Sequence, residues 1–308
     1  MSMTARFLVA LLLLSVLVFG GVALLRSGTY GWTLFVLLPS LIGGLASWTF
    51  RPTTAGRAAW LGALTTGGAT CFLLVAGLEG LICIGMALPL VMPLGALGGW
   101  LAYQAESSGA TARGLTTLLL LPPAFLTWDV TAPPPVFEVR TQIVVRATPE
   151  QVWKHVVSFS ELPEPHEWFF RTGLAYPKRA HIDGSGIGAV RYCEFSTGPF
   201  VEPIEVWDEP HLLRFRVTEN PAPMHEWSLY SRFQPKHLHG YLVSRHGQFR
   251  LTRLENGGTL LEGTTWYQHG LWPAGYWRWW SDAIIHRIHL RVLDHVRILA
   301  EAEAKRVW

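Results

Sequence analysis

Charge is nearly missing from the first half of the chain. Of 308 residues, positions 1–135 hold three acidic side chains (Glu79, Glu106, Asp129), five arginines (Arg6, Arg26, Arg51, Arg57, Arg113), no lysine and no histidine. So few polar heads cannot cover a water-facing surface, which excludes an ordinary soluble domain there. Lysine is scarce throughout, with four in the chain, and the net charge of +3 is spread without a basic run, which argues against a nucleic-acid partner. There are three cysteines: Cys71 and Cys83 in apolar runs and Cys193 alone in the second half, too few for a disulfide framework. The Gly-x-Ser-x-Gly elbow of serine hydrolases is absent. All 12 histidines lie after residue 135, so the chain reads as a membrane half joined to a globular half.

In the membrane half, long uncharged runs predict five spans, at 7–25, 30–50, 58–77, 80–103 and 115–128. The first follows Arg6 and is too long for a cleaved signal, so it reads as a retained anchor. Pro89 and Pro93 are expected to kink the fourth, and the fifth is short and carries Pro122 and Pro123. With the N-terminus inside, Arg6, Arg51, Arg57 and Arg113 are cytoplasmic, and five spans then place the globular half outside the cytoplasm, as in a cell (inner) membrane protein. Gly43, Gly44, Gly67, Gly68, Gly95, Gly98 and Gly99 suggest close helix packing rather than a pore. Glu79 falls in the turn between the third and fourth spans, where no transport role is needed to explain it.

Thr131–Pro135 (TAPPP) makes a stiff linker at 131–136. The sequence from Phe137 to Ala147 alternates as a strand does, and Thr148 then caps a helix with Pro149 in its first turn and Val152, Trp153, Val156 and Val157 on one side. Further strands are predicted at 175–182, 188–196, 201–207, 212–218, 241–254 and 259–267. A long helix follows from Tyr276 to Glu303, with Ser281, Ile285, Ile288, Val292, Val296 and Leu299 on one face. ATPEQVWKHVVSFSELPEP, followed in order by those strands and the closing helix, resembles the START-like, or SRPBCC, superfamily over residues 137–303. That superfamily includes polyketide cyclases, lipid-transfer domains and the birch-pollen allergen. HIDGSGIGAVRYCEFSTGPFVEPIEVWDEP and LEGTTWYQHGLW look like its bacterial polyketide cyclase/dehydrase-like members, although Thr148 stands before Pro149 where many members have alanine. The resemblance implies an α+β helix-grip fold: a curved seven-stranded antiparallel sheet around a long C-terminal helix, here preceded by an all-α transmembrane bundle. Such folds usually leave a hydrophobic cavity between sheet and helix.

Strand alternation proposes the cavity residues. Phe215, Phe249 and Leu251 are expected to point inward, and from the helix Ile285, Ile288, His289 and Val292. Placing Arg191 outward turns Tyr192 and Glu194 inward and puts Cys193 on the outer face. In the last strand two phases compete: Leu260, Glu262, Thr264 and Trp266, or Leu261, Gly263, Thr265 and Tyr267. The first is favoured, partly because ligand-binding members of the superfamily carry a cavity carboxylate near here. Glu194 and Glu262 are thereby candidates for acid–base chemistry, against the plainer reading that either pairs with an arginine at the sheet edge. Gly184–Gly188 reads as a hairpin turn, since it opens no helix that would bind phosphate. His225, His237, His239 and His246 lie in or beside an irregular insertion at 220–240 without a partner ligand at metal spacing, so no metal and no cofactor is expected. The part Pro221–Tyr230 is a candidate cavity lid. The expected function is a membrane-anchored domain that binds a hydrophobic small molecule or lipid; the alternative is a cyclase- or dehydratase-like enzyme.

Overall fold

The computed structural model describes residues 2–108, 112–230 and 235–306. Residues 231–234 of the insertion lie outside the described residues. The chain forms two compact units, one of residues 1–133, 226–237 and 270–277, the other of 134–225, 238–269 and 278–308.

In the first unit, α1 (Met3–Ser27), α2 (Leu38–Phe50, continuing a π-helical stretch from Thr33), α3 (Ala55–Val75) and α4 (Leu81–Ser107) are each long and apolar enough to cross a bilayer, α2 together with that stretch. The backbone of α5 (Ala112–Thr131) is helical through Pro122 and Pro123 and longer than the 14 residues expected of it. Local chemistry sets the helix ends. Ser2 accepts the Ala5 N–H at 3.2 Å to open α1, Thr54 accepts that of Arg57 at 3.3 Å to open α3, and Gly28, at φ 82°, closes α1. The Asp129 carboxylate accepts the N–H groups of Trp32 and Thr33 at 2.7 and 2.9 Å, tying α5 to the start of the second span. Gly43, Gly95, Gly98 and Gly99 pack closely as expected, while Gly68 does not: a Cβ on Gly43 would stand 2.0 Å from the Gly95 carbonyl oxygen, and one on Gly98 1.9 Å from that of Ser40, but one on Gly68 meets nothing within 4 Å. Only hydrogens leave room for backbones this close.

In the second unit, seven antiparallel strands lie in the order β1-β7-β6-β5-β4-β3-β2. They are β1 (Val136–Val145), β2 (Pro177–Asp183), β3 (Val190–Phe195), β4 (Gly198–Asp208), β5 (Leu212–Arg216), β6 (Leu242–Arg253) and β7 (Thr259–His269). Every predicted strand is present. Irregularities at Pro177/Arg179, Ile204/Val206 and Ser244/His246 interrupt the ladders; such bulges bend and twist a sheet. α6 (Pro149–Val157) opens with the expected capping box, the Gln151 side chain accepting the Thr148 N–H at 3.0 Å.

The long helix α7 runs from Ala274 to Arg306. Its apolar side carries Ile284, Ile285, Val292, Leu293, Val296 and Ala300 into the core, where Leu293, Val296, Leu261, Leu213 and Val145 are fully buried. Each such side chain contributes roughly 1.5–3 kcal/mol by leaving water. This is the α+β helix-grip fold that the sequence implies.

Candidate functional site: a cavity between sheet and helix

Alternation along β3 sends Arg191, Cys193 and Phe195 toward α7. On β4 it sends Phe200, Glu202 and Ile204 the same way, and Arg191 and Glu202 are direct cross-strand partners. Together with Phe215 from β5, Phe249 from β6 and Ile285, Ile288, His289 and Val292 from α7, all of these except Ile204, which packs in the adjoining core, line a cavity of about 140 Å³. An apolar hole of about 150 Å³ accepts one benzene ring, so this space matches one ring-sized group.

The cavity lining is mostly apolar, and Arg191, Glu202, Cys193 and His289 form a compact polar set within it. Arg191 is 1% and Glu202 6% exposed, and they form an ion pair. Arg191 Nε donates to the Val157 carbonyl at 3.2 Å, while Nη2 has no hydrogen-bond partner among the described residues. The guanidinium lies 5.5–5.6 Å from the ring centres of Phe159, Phe215 and Phe249, so three aromatic faces surround it. Burial raises the Glu202 carboxyl above its usual range, with Arg191 pulling the other way. Burial, and then Glu202, pushes the Cys193 thiol up to about 12, which leaves it an unreactive thiol. On α7, His289 meets Thr265 through Nε2 at 2.7 Å and Thr141 through Nδ1 at 3.1 Å. Burial, followed by the neighbouring His286, lowers its pKa to about 4, so it is a neutral imidazole near pH 7.

Several expected residues are elsewhere. The structure brings Phe215, Phe249, Ile285, Ile288, His289 and Val292 together at the cavity. Leu251 points inward but packs in the core beside it. Tyr192 and Glu194 face away, which corrects the β3 phase. Tyr192 stacks on His181 with ring centres 5.0 Å apart, and Glu194 takes two hydrogen bonds from Arg179 at 2.7 and 2.9 Å. That contact holds its carboxyl below the usual range. Cys193 is buried, not on the outer face. In β7 the other phase holds: Leu261 is in the core, Gly263 lies against Leu293, Thr265 meets His289, and the Tyr267 hydroxyl donates to Asp282. Glu262 and Trp266 are on the opposite face, Glu262 accepting from Gln142 at 2.6 Å and Trp266 donating to Glu138 at 3.0 Å. The insertion is divided, Pro221, Ala222 and Pro223 lining the cavity while Glu226–His237 belongs to the first unit, so Pro221–Tyr230 is not one lid.

Arg191 and Glu202 escaped the sequence reading because an arginine in a strand was assigned to water. A signal existed: Glu202 stands at two-residue steps between Phe200 and Ile204, on an apolar face where an acid needs a partner.

Fold and cavity together define a helix-grip domain, a seven-stranded antiparallel sheet closed by α7. Residues 136–269 match the profile of the family described as polyketide cyclase/dehydrase and lipid transport. Among solved structures, the chain is similar to a protein from Nitrosospira multiformis (16% identity, TM-score 0.35, covering 55% of this chain and 99% of that one). It is likewise similar to the Zhui aromatase/cyclase of Streptomyces sp. R1128 (15%, 0.36, 55% and 96%). A third is norcoclaurine synthase of Thalictrum flavum in complex with dopamine and hydroxybenzaldehyde (12%, 0.36, 55% and 88%). A comparison with curated proteins found no match.

Proposed function

We propose that the globular half binds a hydrophobic small molecule or lipid between sheet and α7, with an oxygen acceptor of the ligand on Arg191, and that the apolar helices anchor it to a bilayer. The observation that carries this reading is the unpartnered Nη2 of a fully buried arginine in a largely apolar cavity. A buried donor without a partner costs about 1–3 kcal/mol, and a carboxylate, phenolate or ketone oxygen removes that cost. Glu202 neutralises the guanidinium in the unliganded state, and the phenyl rings around it suit an aromatic or polyene neighbour. The volume holds one ring, so the second ring of a two-ring probe such as 2-naphthoate must displace a side chain at the rim.

The test compares 2-naphthoate with naphthalene on the full chain in detergent, by native mass spectrometry and by tryptophan quenching. Wild type is expected to hold naphthoate at least tenfold more tightly. R191M/E202M, which replaces both charges with apolar side chains of similar length, is expected to lose that preference and keep naphthalene. Equal binding of both compounds to wild type sinks the reading.

A second reading, cyclase- or dehydratase-like chemistry, rests on a carboxylate and a neutral imidazole lining one cavity. The general acid–base candidates for it are Glu202 and His289 rather than Glu194 and Glu262. Turnover of a cyclisable polyketide analogue that is lost in both E202Q and H289Q favours that reading over carriage.

A further inference from the structure

The turn from α3 to α4 carries Glu79, and the first turn of α4 carries Cys83. Within the same compact unit, the segment Glu226–His237 brings His237 against them. Cys83 Sγ lies 2.7 Å from His237 Nε2, and His237 Nδ1 lies 3.5 Å from Glu79 Oε2. One donor atom from each of the three residues lies within 4.8 Å of the other two.

The three groups are enclosed and incompletely bonded. Glu79 is 6% and His237 8% exposed. Glu79 Oε1 accepts the Tyr30 hydroxyl at 2.8 Å, yet Oε2 and His237 Nδ1 have no hydrogen bond among the described residues. Each such buried atom costs about 1–3 kcal/mol unless something occupies the space before it. A second carboxylate is close: Glu226 accepts the N–H groups of Ile82 and Cys83 at 3.0 and 2.9 Å. No lysine or arginine among the described residues pairs with Glu79 or Glu226. Two carboxylates and a thiol around one imidazole, under cover, make an environment that favours a cation.

We propose that Glu79, Cys83 and His237 bind a divalent transition-metal ion, zinc in the first place, through three protein ligands. Thiolate, imidazole and carboxylate together exclude the hard ions magnesium and calcium and suit zinc. Tetrahedral bonds of about 2.0–2.3 Å set ligand atoms roughly 3.3–3.8 Å apart; Cys83 and Glu79 meet different nitrogens of the His237 ring, so coordination through one nitrogen needs the ring to turn and the donors to shift by about 1 Å. Tyr30 then holds the ligand carboxylate from behind, the part that an outer hydrogen bond plays at zinc sites. Sequence spacing hides this arrangement, because 154 residues separate Cys83 from His237.

The test is elemental analysis of the full chain, purified in detergent with a tag free of histidine, after zinc loading and dialysis. Wild type and C71S, which changes an exposed cysteine, are expected to keep about one zinc per chain. C83S and H237N are expected to keep less than a tenth of that. Cobalt-loaded wild type provides a readout independent of how these variants fold: a thiolate-to-cobalt charge-transfer band with tetrahedral ligand-field bands is expected. Wild type without zinc and without that band overturns the proposal, as does zinc retained equally by C83S/H237N. Wild type that stays metal-free after zinc loading, with Cys83 alkylated rapidly there and slowly in H237N, overturns it in favour of a thiol–imidazole pair.

Discussion

Arg191 and Glu202 stand directly opposite each other on β3 and β4, and their ion pair lies under the sheet beside α7 rather than on a rim. Such a pair brings little net stability but is costly to break, because the surviving charge stays buried. R191M is therefore expected to destabilise the domain by about 3–5 kcal/mol, and R191M/E202M by less than about 1.5 kcal/mol. Thermal unfolding of the full chain, followed by near-UV circular dichroism, measures both. Equal losses in the single and double variants would mean that the two charges are not coupled.

Glu194 and Glu262 face away from the cavity, so E194Q and E262Q are expected to leave 2-naphthoate binding within twofold of wild type. E194Q removes a largely exposed pair with Arg179 and changes stability by less than about 1 kcal/mol. E262A removes the acceptor of the Gln142 amide, which is exposed and takes water instead, together with a 3.7 Å ion pair to the exposed Arg140, and costs less than about 1 kcal/mol. Binding by fluorescence quenching and stability by thermal unfolding check the two halves of this statement separately. A tenfold loss of binding in E194Q would contradict the strand phase of the structure.

These two glutamates also show how far the sequence could be read. Strand and helix existence follows from local signals, such as the Thr148 cap, the Asp183-Gly184 turn and the alternation of Leu213 and Phe215 with arginines, and each appears in the structure. Phase in β3 and β7 does not follow, because both faces carry polar residues there. Arg191 is silenced by Glu202 on the next strand, and Gly263 lies on the core face in ordinary contact with Leu293 of α7. A partner on another element decides each case, and one strand read alone does not contain it. The same holds for Glu79, whose plain place in a turn says nothing about a histidine more than 150 residues later.

In the helical bundle, two glycines of α3 separate close packing from mere composition. A Cβ on Gly62 would meet the Gly95 carbonyl oxygen at 2.2 Å, whereas one on Gly68 meets nothing within 4 Å. G62A must push α3 and α4 apart and is expected to cost about 1–3 kcal/mol, seen as a lower midpoint of thermal unfolding in detergent. G68A fills open space and removes backbone freedom, so its midpoint is expected to stay or rise slightly. Equal midpoints for the two variants would show that the helices do not approach as closely as the structure has them.

His289 gives the domain a pH dependence whose sign follows from its burial. Its pKa is about 4 when folded, against about 6.5 for an unperturbed imidazole, so between these values the unfolded chain binds the extra proton. Stability from this group is complete above about 6.5 and is lost as pH falls toward 4, amounting to roughly 2 kcal/mol between pH 7 and 5. His295, also lowered chiefly by burial, acts in the same direction, so the dependence has more than one source. H289Q keeps an amide for Thr265 to meet but cannot take up a proton. Its unfolding midpoint should therefore fall less than that of wild type when the pH is lowered from 7 to 5, whatever the absolute midpoints are. Parallel curves for wild type and H289Q over that range would mean that the folded state accepts a proton on His289 as readily as the unfolded chain does.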